Sequence, residues 1–246
     1  MNYKLEICAN SVQSCINAQE GNADRVELCD NLWEGGTTPS AGTIKLARQQ
    51  IDIGLFVIIR PRGGDFLYSS LEFEVIKEDI RMAIDLGADG IVSGILDADG
   101  LVDKERTAQL VELCGDLPFT FHRAFDLSSD PYKALEDIID CGAKRILTSG
   151  LQPSVLQGIK MIKKLNDKAS GRIVIMPGGG INEMNAQEII QKTGCSEFHM
   201  SGKVIEDSKM NFRNHSLKLN GSADMPEYGI TVSDVNKILE VRIVLH

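Results

Sequence analysis

Eight times along this chain a short run rich in Ile, Val, Leu and Phe is followed by a stretch with helical spacing. That alternation constrains the fold more than any other feature. The strand candidates are 3–7, 25–28, 55–59, 90–93, 119–122, 145–148, 172–175 and 197–200. Between them, apolar residues recur three and four positions apart; in 71–85, Val75, Ile76, Ile80, Ala83 and Ile84 share a face. Ser11, Ser40, Asp130 and Asn182 suit helix N-caps, and Pro131 follows its cap where a missing N–H costs little. Gly21, Gly87 and Gly142 stand at the same joint, between a helix and the next strand, where a left-handed residue ends the helix. Such β–α units, packed into ~200 residues without a Pro- or Ser-rich linker, match a TIM (β/α)8 barrel. An open doubly wound sheet would alternate in the same way, but its glycine-rich first turn is missing: Cys8-Ala9-Asn10-Ser11 stands there. The expected fold is therefore α/β, a single TIM-barrel domain over 1–246. Its core lies in 1–202, with a C-terminal loop and closing helix in 203–246.

Composition narrows the partners. Twenty-six Lys and Arg against 35 Asp and Glu give a formal charge of −9, and aromatic residues are only 5%. Both argue against nucleic acid, whose backbone calls for basic surface and whose single strands call for stacking platforms. Anionic membrane surfaces are disfavoured for the same reason. No apolar run approaches the ~20 residues of a membrane span, and the N-terminus has no basic segment leading into an apolar one. A cytoplasmic location is expected. The six cysteines are dispersed without a CxxC pair, and their first reading is as small buried side chains.

Two strands are near-copies: Leu5-Glu6-Ile7-Cys8-Ala9-Asn10 and Val26-Glu27-Leu28-Cys29-Asp30-Asn31. Alternation places Leu5, Ile7, Val26 and Leu28 under the helices and turns Glu6, Cys8, Glu27 and Cys29 toward the barrel axis. It also turns Thr120, His122, Glu197, His199 and Ser201 inward. Barrel interiors are usually filled by Val, Ile and Leu, so ionisable groups there stand out. Buried carboxylates need partners, and Arg60, ending the third strand, is the expected counter-ion of Glu27. A salt-bridge network serving packing alone is the competing reading.

The segments Arg60–Asp65 and His122–Asp126 lie at the C-terminal ends of strands, where barrel enzymes keep their chemistry. Arg60 and Arg62 suit bidentate contact with an anion. Gly178, Gly179 and Gly180 after the seventh strand, and Ser201, Gly202 and Lys203 after the eighth, sit where barrels often bind phosphate through backbone N–H groups. A tight turn would use the same glycines. On this reading the ligand is a small anionic or phosphorylated metabolite. Glu27 or Glu6 is the general base, His122 a general acid or orienting group, and Asp126 and His199 complete the catalytic candidates.

The segments Ala23–Cys29, Glu34–Ser40, Ile59–Phe66, Thr120–Asp126, Leu147–Gly150 and Met176–Gly180 together resemble CutC, the family named for copper homeostasis. The likeness covers about 1–202, with Asn22 standing where a glycine is expected. It implies a cytoplasmic barrel, often a homodimer, with a role in copper handling and Cu(I) held by cysteines. Carried over by position, those ligands are Cys8 and Cys29. Cu(I) prefers soft thiolates. Neighbouring Glu6 and Glu27, however, oppose thiolate formation, and no third soft ligand is evident. Whether the chain is an enzyme is left open by its residues.

Overall fold

A computed structural model describes residues 3–219 and 226–245. Eight parallel strands run through it: β1 (Lys4–Ala9), β2 (Arg25–Leu28), β3 (Gly54–Ile58), β4 (Gly90–Ser93), β5 (Phe119–Phe121), β6 (Arg145–Thr148), β7 (Val174–Pro177) and β8 (Glu197–Met200). Neighbours in the chain are neighbours in the sheet, and β8 returns to pair with β1. The ring closes between β7 and β8 through one parallel bridge, Gly178 to His199. The architecture is the TIM barrel that the alternation predicts.

Helices α1 (Val12–Glu20), α2 (Ala41–Gln50), α3 (Ser70–Asp85), α4 (Lys104–Leu113), α5 (Pro131–Asp140), α6 (Val155–Ala169) and α7 (Ala186–Thr193) follow successive strands. They cover the outward strand residues. Leu5, Ile7, Val26, Leu28, Leu55 and Ile91 are fully buried against residues such as Ile44, Ile76, Ile80 and Ile162. Each such side chain contributes roughly 1.5–3 kcal/mol of transfer free energy. Ser11, Ser40 and Asp130 cap their helices as expected, and Ser69 with Glu72 forms a reciprocal capping box on α3. Two local expectations shift. Asn182 serves the turn before α7, accepting from the Met184 N–H, while α7 itself starts after Asn185. In α3 the buried stripe is Phe73, Ile76, Ile80 and Ala83, which leaves Val75 exposed.

Beyond the barrel, β9 (Lys203–Asp207) and β10 (Gly229–Ser233) form an antiparallel hairpin, and α8 (Val235–Val244) packs back against α1. The hairpin is largely exposed and so lacks the apolar alternation that would announce it. Gly21 belongs to this packing: a Cβ there would lie 2.5 Å from Ile238 Cγ2. The left-handed position expected at Gly21 is taken by Asn22 instead, with φ of 60°, a conformation asparagine tolerates. Among the described residues no helix is long and apolar enough to cross a membrane.

The barrel interior is unusual. Glu6 pairs with Arg25 across β1 and β2, and Cys8 with Glu27, so the near-identical strands are offset by two residues. An even offset keeps every side chain on its face. Arg25 donates to Glu6 and, at 2.5 Å, to Glu197; Arg145 Nε donates to Glu197 at 2.6 Å. Both guanidinium groups lie over the Phe56 ring, 5.2 and 5.4 Å from its centroid. This charged plug fills the axis toward the N-terminal ends of the strands.

Candidate functional site

Above the plug, at the C-terminal ends of the strands, is a cavity of about 220 Å³. Typical small-molecule pockets are larger, on the order of 300–1,000 Å³, so this cavity has room only for something small. Cys8 and Glu27 lie on one wall, His122 and Arg123 on another, and Gly179, Gly180, Ser201 and Lys203 on a third.

His199 connects the plug to the cavity. Its Nδ1 lies 2.7 Å from Glu6 Oε1, and its Nε2 lies 3.8 Å from Glu27 Oε2. Burial alone would lower its pKa, but the Glu27 charge and the hydrogen bonds with Cys8 and Glu6 raise it well above the usual histidine value. Glu6 shows the converse balance. Burial pushes its carboxyl up, yet Arg25 and His199 outweigh it and bring it down to about 2. Glu27 has less compensation: burial, reinforced by Glu6, raises it against the pull of His199. One Glu27 oxygen, Oε1, has no hydrogen-bond partner.

Cys8 and Cys29 are both free thiols, with their sulfurs 3.7 Å apart. Cys29 Sγ also approaches the Ala9 carbonyl at 3.5 Å. The hydrogen bond with Cys29, then burial, lifts the Cys8 thiol well above its usual value. The ligand atoms of Cys8, Glu27 and His199 all lie within 4.8 Å of one another, and Cys29 joins that group through Cys8. His199 is thus the additional donor that linear spacing conceals.

The other sequence candidates divide. His122 is buried in the cavity wall, where burial and then the Arg60 charge bring its pKa down to about 3. Arg60 lines the cavity but does not pair with Glu27. Its Nη1 donates to the Glu34 and Gly36 carbonyls, each at 2.7 Å, and its Nη2 to Gly64 at 2.9 Å. The loops around it absorb those donors before they reach a carboxylate. Arg62 turns away from the cavity to Glu72 and Asp65. Asp126 works as a loop anchor, accepting from Thr148, Ser149, Leu151 and Arg123. Glu6 sits below the cavity in the plug. Gly178 is a packing glycine, since a Cβ there would lie 2.4 Å from Leu147 Cδ1. Gly202 turns the chain into the hairpin, facing Ile238 and Met200. Gly179, Gly180 and Ser201 do line the cavity. Sequence reasoning passed over Arg25 and Arg145 in the plug, whereas Lys203 after the eighth strand and Arg123 of the His122–Asp126 segment both line the cavity.

The CutC family model matches residues 3–204. The chain belongs to the CutC family. A human protein named copper homeostasis protein cutC homolog is 50% identical over 236 residues, covering 96% of this chain and 86% of its own. A CutC family protein of Bacteroides thetaiotaomicron is 48% identical, covering 96% of each. The crystal structure of a CutC from Streptococcus agalactiae superposes with a TM-score of 0.77 at 40% identity, covering 81% of this chain and 98% of that one. The CutC likeness first seen in the motifs therefore extends over the whole barrel.

Proposed function

We propose that this CutC protein binds Cu(I) at the inner end of the cavity, with Cys8 and Cys29 as thiolate ligands and His199 Nε2 as the nearby nitrogen. The observation that carries this reading is the 3.7 Å separation of the two sulfurs. Thiolates this close would hold one soft metal ion between them, with His199 near enough to serve as a third donor. The hydrogen bond from His199 Nδ1 to Glu6 leaves Nε2 toward Cys8 and Glu27, an arrangement common for metal-bound histidines. Soft sulfur with imidazole suits Cu(I) better than hard divalent ions. The copper homeostasis name of the human relative agrees, and a reducing cytoplasm would keep both thiols free.

Two thiolates and one Cu(I) would carry a net negative charge close to Glu27, and binding would release the protons of both thiols, Cys8 and Cys29, and any proton on His199 Nε2. The test is anaerobic titration against a competing Cu(I) chelator. The wild type is expected to take up one equivalent. The Cys8→Ser, Cys29→Ser double variant is expected to bind at least about 100-fold more weakly, and His199→Asn about tenfold more weakly. Unchanged affinity in the double variant removes the reading.

A further inference from the structure

Three residues lining the cavity hold a buried polar atom without a hydrogen-bond partner: Arg60 Nε, His122 Nε2 and Glu27 Oε1. Two of the three are donors. His122 Nδ1 accepts from the Ala124 N–H at 3.2 Å, so in the neutral ring the proton sits on Nε2. His122 and Arg60 flank one aromatic ring: the Arg60 guanidinium lies 5.1 Å from the Phe66 centroid, and the His122 ring 4.8 Å from it. Leaving a buried donor unpaired is costly, so this pair calls for an oxygen acceptor that the chain does not supply.

Cations also line the cavity. Asp126 and Ser149 hold the Arg123 guanidinium at 2.8 and 2.7 Å. Its remaining nitrogen, Nη1, lies 3.9 Å from where a Gly179 Cβ would be. Gly180, with φ of 90°, has nothing within 4 Å of its own Cβ position, so its backbone is open to a ligand. Lys203 stands at the rim with its Nζ 5.4 Å from the centroid of Trp33. In a chain of formal charge −9, this cavity sets Arg60, Arg123 and Lys203 against a single lining carboxylate, Glu27. Local cationic excess inside an acidic protein concentrates anions.

We propose that the outer part of the cavity binds a small phosphomonoester carrying a carbonyl or hydroxyl oxygen. Its phosphate lies among Arg123, Lys203 and the Gly179–Gly180 backbone, and the second oxygen accepts from His122 and Arg60. Phosphate is favoured over carboxylate because the cations and the open glycine backbone converge after β7 and β8, where a barrel presents N–H groups to three-oxygen anions. This inference does not rest on the copper reading. The thiols lie toward the floor and the cations toward the rim.

The experiment uses the full chain with metal removed by chelation. Dihydroxyacetone phosphate, glycerol 3-phosphate and inorganic phosphate are the probes, read by thermal midpoint and by the fluorescence of Trp33, the sole tryptophan. Saturable binding of both esters is expected, tighter than inorganic phosphate. The affinity should fall about tenfold or more in Lys203→Ala and in His122→Asn. Lys203 is exposed, and asparagine keeps an acceptor for the Ala124 N–H, so both variants are expected to fold; circular dichroism checks this. Absence of a saturable response to either ester up to about 10 mM overturns the proposal. So does equal affinity in the wild type and both folded variants, or inorganic phosphate binding as tightly as the esters, the mark of an adventitious ion only.

Discussion

His122 makes the barrel mouth sensitive to acid in a direction that can be worked out. Its folded pKa, brought to about 3 by burial and the Arg60 charge, lies below the unfolded value near 6.5. Above pH 6.5 the ring is neutral in both states and costs nothing. Below it the unfolded chain takes up a proton that the folded chain refuses. Stability from this residue is therefore lost as pH falls from about 6.5 toward 3, at up to about 1.4 kcal/mol per pH unit. His122→Asn is expected to gain on the wild type progressively across that window in urea unfolding. Parallel stability curves from pH 7 to 4 would show that the imidazole is not held neutral. At this scale the inward identities of Glu6, Cys8, Glu27, Cys29, His122 and His199 were legible, because strand alternation is a local rule. Their partners were not. Arg25 opens β2 and reads as a boundary residue, although counting back two positions from Glu27 puts it on the same face. The Arg60 guanidinium is claimed by loop carbonyls, which no side-chain pattern reveals.

Element boundaries follow from the same contrast between local and distant contacts. β2, β4, β6 and β8 match their sequence ranges, because in each a short run with apolar outward residues stands between turns and loops. β7 begins two residues later than expected, since Arg172 binds Glu136 and the end of α6 instead of entering the sheet. The β9–β10 hairpin was not legible because its sides are solvated. Its docking partner α8 nonetheless leaves a trace in the sequence, at Gly21. Gly21→Ala is expected to destabilise the fold by roughly 1–3 kcal/mol, because the new methyl meets Ile238. Combining it with Ile238→Ala, which removes the Cγ2 that the new methyl meets, should cost less than the sum of the two single changes, as contacting residues couple. Additive losses in chemical denaturation would mean that α8 does not press on this turn.

Across the molecule, the closed parallel ring was the most legible feature, because repetition of one β–α unit leaves few other ways to bury every strand. The closure is uneven, however. Strands β2 and β3 share a full register of pairs, whereas β7 and β8 meet through the one bridge at Gly178 and His199. Native-state hydrogen exchange is expected to be faster at amides along that join than in β2 and β3, since opening it breaks fewer interactions. Uniform protection around the ring would contradict this. The plug at the opposite end has a further consequence. With Arg25, Arg145, Glu6 and Glu197 filling the axis, the hollow is a cup with a single doorway. Traffic through a single doorway is ordered: whatever settles on the sulfurs must arrive before anything that seats at the brim, and it departs last.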